Sequence, residues 1–277
     1  MSLKLMYITR DVAVAKIAEK AGVDRLWVDL EYIGKADRQG GLDTVQNRHT
    51  PTDVGSLRAA LTKSEVMVRV NPIHDALPDY FSTEDEVNAV IDNGAQLVML
   101  PFFQEAKQVE RFVKAVRGRA RTMLLLETPE AVENLDEILS VGGIDEVHIG
   151  LNDLHLGYHK KFMFELLADG TTERLMERIK SYGLPCGFGG VGRPGSGTLP
   201  ADYILGEHVR LQSDMVILSR SFCNTDKITD PAEIENIFIN GVADVRRVEE
   251  EAHGWTAEQF EANRQRVCEC VKSIISP

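Results

Sequence analysis

Residues 122–132, Thr-Met-Leu-Leu-Leu-Glu-Thr-Pro-Glu-Ala-Val, pass from an apolar run directly into a helix start. Thr122–Leu126 carries no charge and reads as a strand buried on both faces, whereas Thr128-Pro129-Glu130 places a capping hydroxyl before a proline at the first helical position. Glu127 stands at the join. Strand followed at once by helix is a βα unit, and the pattern recurs in both directions along the chain. Leu3–Ile8, Arg25–Leu30, Val66–Val70, Leu97–Leu100, Thr122–Leu126, Glu146–Ile149, Pro185–Phe188 and Met215–Leu218 make eight such runs. Helical patterns lie between them at Val12–Ala21, Pro51–Leu61, Thr83–Asn93, Glu105–Arg117, Pro129–Leu139 and Lys160–Tyr182. Ser82-Thr83-Glu84-Asp85-Glu86 reads as a capping box.

Eight units predict an α/β fold of the (β/α)8 TIM barrel type, since an open doubly wound sheet more often has five or six strands. One domain over residues 1–277 is expected, with 220–277 a C-terminal helical extension. Trp255, Phe260, Val267, Val271 and Ile274 form an apolar stripe there that suits packing on a neighbouring subunit. Three long loops, Glu31–Thr50, Asn71–Ser82 and Gly189–Leu199, follow strands two, three and seven and gather on the C-terminal rim, where barrels carry their sites.

Composition narrows the function classes. An excess of 43 acidic over 31 basic residues gives a net charge of −12, which works against binding nucleic acid or an anionic membrane surface. No apolar stretch approaches the ~18 residues of a membrane span, and MSLKLMYITRD lacks the pattern of a signal peptide, so a cytoplasmic location is expected. Cys186, Cys223, Cys268 and Cys270 lack the paired spacing of a structural zinc site and read as free thiols.

Strand five runs into Glu127, and strand six, Val147-His148-Ile149, runs through Gly150-Leu151-Asn152 into Asp153. Carboxylates at the same ends of adjacent strands can converge, and hard oxygen ligands suit Mg²⁺ or Mn²⁺ completed by water and substrate. The bland alternative is that both merely favour helix N-termini. Arg69 ends strand three and can neutralise a carboxylate or a developing enolate oxygen; its bland alternative is an ion pair with Asp29 or Glu31. No lysine stands at a strand end for Schiff-base chemistry, which favours a metal as the electrophile. Residues 187–192 satisfy G-x-G-x-x-G, but Arg193-Pro194-Gly195 follows where a dinucleotide site needs a helix. What remains is either a lid or a loop whose amides and Arg193 meet an anionic substrate tail.

Five segments in order, Leu-Trp-Val-Asp-Leu-Glu (26–31), Val-Arg-Val-Asn-Pro (68–72), Asn-Gly-Ala-Gln-Leu-Val-Met-Leu-Pro (93–101), Leu-Glu-Thr-Pro-Glu-Ala-Val (126–132) and Ile-Gly-Leu-Asn-Asp-Leu (149–154), resemble the family of 4-hydroxy-2-oxoheptanedioate aldolase (HpcH/HpaI) and the citrate lyase beta subunit, from about Leu3 to Leu218. The resemblance implies a barrel of the phosphoenolpyruvate/pyruvate type and a class II-type aldolase, cleaving a 4-hydroxy-2-oxo acid to pyruvate or a related 2-oxo acid and an aldehyde. It assigns Glu127 and Asp153 to a divalent metal, Arg69 to the enolate, and Gly150, Leu151 and Asn152 to the substrate carboxylate. Tyr32 departs from the histidine that follows the acidic residue in the family. His49, in Arg48-His49-Thr50-Pro51, resembles the histidine-containing entry to the second helix and is the candidate base, with Asp92 as its partner and a solvated loop histidine as the bland alternative. A citryl-CoA or malyl-CoA type lyase and a non-catalytic metabolite-binding barrel are the other readings. The implied partners are a small 2-oxo acid and further copies of the chain, from dimer to hexamer.

Overall fold

The computed structural model describes residues 2–34 and 49–276. Its strands are β1 (Lys4–Ile8), β2 (Arg25–Asp29), β3 (Glu65–Arg69), β4 (Leu97–Leu100), β5 (Arg121–Leu126), β6 (Glu146–Ile149), β7 (Cys186–Phe188), β8 (Gly190–Val191) and β9 (Met215–Leu218), all parallel in one sheet. β7 pairs with β6 and β8 pairs with β9, so these two are halves of the seventh strand of an eight-stranded barrel, broken at Gly189, whose φ is +52°. The Asp214 N–H donates to the Cys186 carbonyl at 2.8 Å and closes the ring. Closure demands glycine at 187, because a Cβ there would lie 2.1 Å from the Met215 carbonyl oxygen.

Helices α1 (Val12–Ala21), α2 (Pro51–Ala60), α3 (Thr83–Asp92) and α4 (Ala106–Val116) follow the expected periods, and α3 starts on the expected Ser82, whose hydroxyl accepts the Asp85 N–H. The pattern at 129–139 divides at Asn134 into α5 (Pro129–Glu133) and α6 (Leu135–Leu139). After β6 comes α7 (Leu151–Gly157); the pattern at 160–182 then becomes α8 (Glu165–Ala168) and α9 (Thr171–Ser181), separated by Gly170 at φ +78°. The outer ring is completed by α10 (Ala201–Arg210), α11 (Pro231–His253) and α12 (Ala257–Ile275). The C-terminal stripe folds back on its own chain: Val267 and Val271 are buried, and Trp255 fits against Gly206 of α10. One apolar cluster runs from Leu3 to Val271 between strands and helices. Among the described residues no helix is long and apolar enough to cross a membrane.

The barrel interior is layered. At the end where the strands begin, Arg25, Glu65, Arg121 and Glu146, each the first residue of its strand, form an ionic plug. Arg25 donates two bonds to Glu146, at 2.6 and 2.7 Å, with both side chains buried. Above lies a sulfur-rich layer of Met6, Met67, Met99, Met123 and Met215 around Trp27, flexible side chains that fill an irregular interior. The third layer faces the opposite rim. Burial alone would raise the Glu146 carboxyl, but Arg25, Lys4 and Arg121 outweigh it and hold the group below its ordinary value. A carboxyl depressed in the folded state adds stability that is full above the ordinary glutamate range and is lost as pH falls through the folded value. Glu146→Gln should therefore cost about 3–5 kcal/mol at neutral pH by stranding Arg25, and should flatten the acid side of the stability profile. Urea titrations from pH 7 to 3 check this, and an unchanged profile would remove Glu146 from the plug's energetics.

Candidate functional site

The strands end on a pocket of 540 Å³ at the C-terminal rim, lined among others by Asp29, Arg69, Glu127 and Asp153. Arg69, the last residue of β3, donates from Nε and Nη2 to the two oxygens of Asp29, both at 2.8 Å, and its Nη1 lies 3.3 Å from Glu31 Oε2. The ion pair expected as the bland alternative is thus formed, and the side chain still lines the pocket. Burial disfavours the guanidinium, yet Asp29 and Glu31 outweigh burial and hold it protonated well above the ordinary arginine value. Three of its five N–H groups face these carboxylates, which leaves two for the pocket.

Glu31 is held in turn by the cluster beneath the next loop. Asn71 Oδ1 accepts the N–H groups of Tyr32 and Ile33, both at 2.9 Å, and Asn71 Nδ2 donates to buried Glu86 at 2.8 Å. Tyr80 donates to the same carboxylate at 2.9 Å, and desolvation pushes the Glu86 carboxyl upward. Tyr32, in the position where the resemblance leads one to expect histidine, stacks edge-on against Tyr80 and is 43% exposed, outside the pocket lining.

Glu127 and Asp153 meet the same pocket, both buried, at 4% and 9% exposure. Phe102, in the left-handed region at φ +49°, turns its N–H onto Glu127 Oε1 at 3.1 Å. Gly150 makes room for the other oxygen: a Cβ there would stand 2.7 Å from Glu127 Oε2. Asn152 Nδ2 approaches Asp153 Oδ1 at 3.4 Å. Two carboxylates in a cradle cut to glycine size fit a hard divalent ion that keeps water and substrate ligands. Among the described residues no group of three or more His, Cys, Asp or Glu is arranged to hold a metal ion without further ligands.

Other expected residues fall elsewhere. His49 Nδ1 accepts the Asp29 N–H at 3.0 Å, behind the end of β2, and His49 does not line the pocket. A neutral ring that accepts at Nδ1 carries its proton on Nε2, so in this state it can give a proton but not take one. Asp92 is the exposed last residue of α3, which runs antiparallel to the strands and so ends on the plug side; the structure does not bring it to His49. Arg48 lies outside the described residues. Arg193 is exposed and faces Asn236, Asn240 and Asp244, because Gly195 N–H bonds Asp202 and Ser196 bonds the Arg193 carbonyl, turning the loop outward.

Four polar or charged lining residues were not anticipated. Ser219-Arg220-Ser221 enters the pocket directly after β9; the loop position alone, following the eighth barrel strand, was the available signal. His148 lies at the pocket floor, with Nε2 3.0 Å from the Gly189 carbonyl and Nδ1 without a partner among the described residues. Burial pushes this imidazole down to about 4.

The family model for HpcH/HpaI aldolase/citrate lyase matches residues 5–167, more than half of the chain. A hydroxypyruvate/pyruvate aldolase of Roseobacter denitrificans is 26% identical over 58% of this chain and 75% of its own length. A 4-hydroxy-2-oxovalerate aldolase of Novosphingobium aromaticivorans is 29% identical over 63% and 70%. A 2-keto-3-deoxy-L-rhamnonate aldolase of Escherichia coli is 26% identical over 63% and 69%. Among solved structures, an HpcH/HpaI aldolase from Desulfitobacterium hafniense superposes with TM-score 0.59 at 18% identity, over 79% of this chain and 86% of that one. A family protein from Burkholderia cenocepacia gives 0.60 at 14%, over 84% and 95%. These two show the fold.

The cradle gives a direct test. Gly150→Ala should displace Glu127 and weaken Mn²⁺ binding about 10-fold or more, measured by calorimetry, while the fold is retained in circular dichroism. Wild-type affinity in a folded Gly150→Ala protein would rule out Glu127 as a ligand.

Proposed function

We propose that this chain, which belongs to the HpcH/HpaI aldolase/citrate lyase family, is a divalent-metal-dependent aldolase that cleaves a 4-hydroxy-2-oxo acid to pyruvate or a related 2-oxo acid. The observation that carries the reading is the convergence of Glu127, Asp153 and Arg69 on one pocket at the rim. Glu127 and Asp153 would hold Mg²⁺ or Mn²⁺, which supplies positive charge to the oxygens of the 2-oxo acid as the bond breaks. The two remaining N–H groups of Arg69 add stabilisation to charge that develops on the substrate, in a position fixed beforehand by Asp29 and Glu31. Backbone at Gly150, Leu151 and Asn152 receives the substrate carboxylate, next to Glu127 and Asp153. Trp27, Leu125 and Ile217 line the apolar floor and lower the local dielectric around these charges. A cytoplasmic 2-oxo acid is the proposed partner.

The test is exchange of pyruvate methyl protons in deuterated water, followed by NMR with and without Mg²⁺ or Mn²⁺. Ion-dependent exchange is the expected result; a folded protein with none overturns the reading. Arg69→Ala should lower the rate about 100- to 1000-fold, with Arg69→Lys intermediate because the bidentate hold on Asp29 is lost. His49→Ala should keep exchange within about 10-fold, and its abolition in a folded variant would restore His49 as the base.

A further inference from the structure

We infer that the part of the substrate released as the aldehyde carries an apolar group, best matched by an aromatic ring, and that Phe162, Met163, Phe164, Leu199 and Ile204 hold it. The assignment rests on the aldolase reading of the pocket given above. The cavity measures 540 Å³, within the roughly 300–1,000 Å³ of pockets that enclose ligands far larger than a three-carbon acid. Asp29, Arg69, Glu127 and Asp153 stand at or just beyond the ends of β2, β3, β5 and β6. A different wall is formed by the segment after α7 and by the loop after the seventh barrel strand with α10, which together contribute those five apolar side chains.

Local bonding fixes this wall in place. Glu165 Oε1 accepts the N–H groups of Lys161 and Phe162, at 2.7 and 2.9 Å, and the Glu165 N–H returns to the Phe162 carbonyl at 3.0 Å. The closed turn leads into α8 and holds Phe162 edge-on against buried Phe164, with ring centroids 5.4 Å apart. In the loop after the seventh strand, the Ala201 N–H donates to the Ser196 carbonyl at 3.1 Å, and Gly197 adopts φ +99°, where a Cβ would stand 2.8 Å from the Leu199 carbonyl oxygen. Leu199 is only 3% exposed, although Gly197 and Thr198 beside it are exposed. A leucine buried against the pocket from a loop rich in glycine, proline and serine is a wall, not a solvated tip.

The polar side chains bordering this wall are tied within the protein or stand exposed. Ser196 donates its hydroxyl proton to the Arg193 carbonyl at 2.5 Å, the Ser219 hydroxyl bonds that of Ser221 at 2.8 Å, and Thr198, Arg220 and Ser221 are exposed. A hydroxylated tail laid on the five apolar side chains would give up water without recovering its hydrogen bonds, whereas an apolar group gains by the same desolvation. Edge-on packing against the Phe162 and Phe164 rings adds to this gain for an aromatic group. Leu199 and Ile204 lie beyond residue 167, outside the span matched by the family model, so the family pattern does not dictate this part of the wall.

The test is calorimetry in the presence of Mg²⁺ with 2-oxo-4-phenylbutanoate, 2-oxobutanoate and 2-oxoadipate, none of which has a 4-hydroxyl to be cleaved. The aromatic acid should bind about 10- to 100-fold tighter than 2-oxobutanoate, and tighter than 2-oxoadipate. Leu199→Asn, which sets an amide into the wall, and Phe162→Ala, which truncates a half-buried ring, should each lower the first ratio about 5-fold or more, with folding verified by circular dichroism. A wild-type ratio of one, a diacid bound more tightly than the aromatic acid, or a ratio unmoved in both folded variants overturns the inference. Binding requires no turnover, so the two readings fail separately. A ratio that depends on the wall in a protein inert in pyruvate exchange supports the apolar subsite and overturns the aldolase reading, and exchange without the ratio does the reverse.

Discussion

Closing eight parallel strands into a ring leaves an interior that must be filled, and the filling decides which end of the barrel can work. At the starting end, Arg25 and Glu146 are buried together, with Glu65 and Arg121 completing the ion network. Charges taken from water in this way are tolerated because each meets an opposite charge at hydrogen-bond distance. The methionine layer then occupies the middle, with Met6 and Met215 sulfurs 3.8 Å from Arg25. Ligand access is left to the opposite rim, where Gly150 and the glycines near the seventh strand keep the space clear.

The rim's order descends from the same packing. Asn71 ties the chain after Glu31 to buried Glu86 beneath the following loop, which sets Glu31 and Asp29 against Arg69. Arg69 therefore contributes at two levels. It holds two buried carboxylates in place, and it offers its remaining donors to whatever occupies the pocket. A substitution there acts on both, which is why lysine, with one compact charge and no planar fork, is not an equivalent residue.

Much of this was legible in the chain. The eight strands follow from short, largely apolar runs, two helix starts from the capping residues Ser82 and Thr128, and Arg69, Glu127 and Asp153 were legible at the rim because they stand where or just after such runs end. The plug was not. Arg25 and Glu146 open apolar runs, a position that reads as solvent-facing, and only barrel closure across non-adjacent strands turns them inward. The family pattern locates Asp92 only in sequence, and the antiparallel course of α3 puts its end on the face away from His49. Arg193 and Arg220 both follow late strands, and local bonds of Gly195 and Ser196, invisible in residue type, turn Arg193 away from the pocket that Arg220 lines.

The position of protons near the pocket limits which groups can supply charge. His49 accepts at Nδ1 from a backbone N–H, and so is a donor at its other nitrogen when neutral. His148 gives its Nε2 proton to a carbonyl, and burial keeps its ring uncharged down to about 4. Carbonyls and backbone amides do not titrate in the neutral range, so they hold His148 and its Gly189 contact in one state. The positive charge contributed by the pocket's described side chains then falls to the guanidinium groups of Arg69 and Arg220. Both guanidinium groups are carried by the barrel itself, Arg69 at the end of β3 and Arg220 in the turn after β9, so the framework that closes the ring also sets where this charge stands.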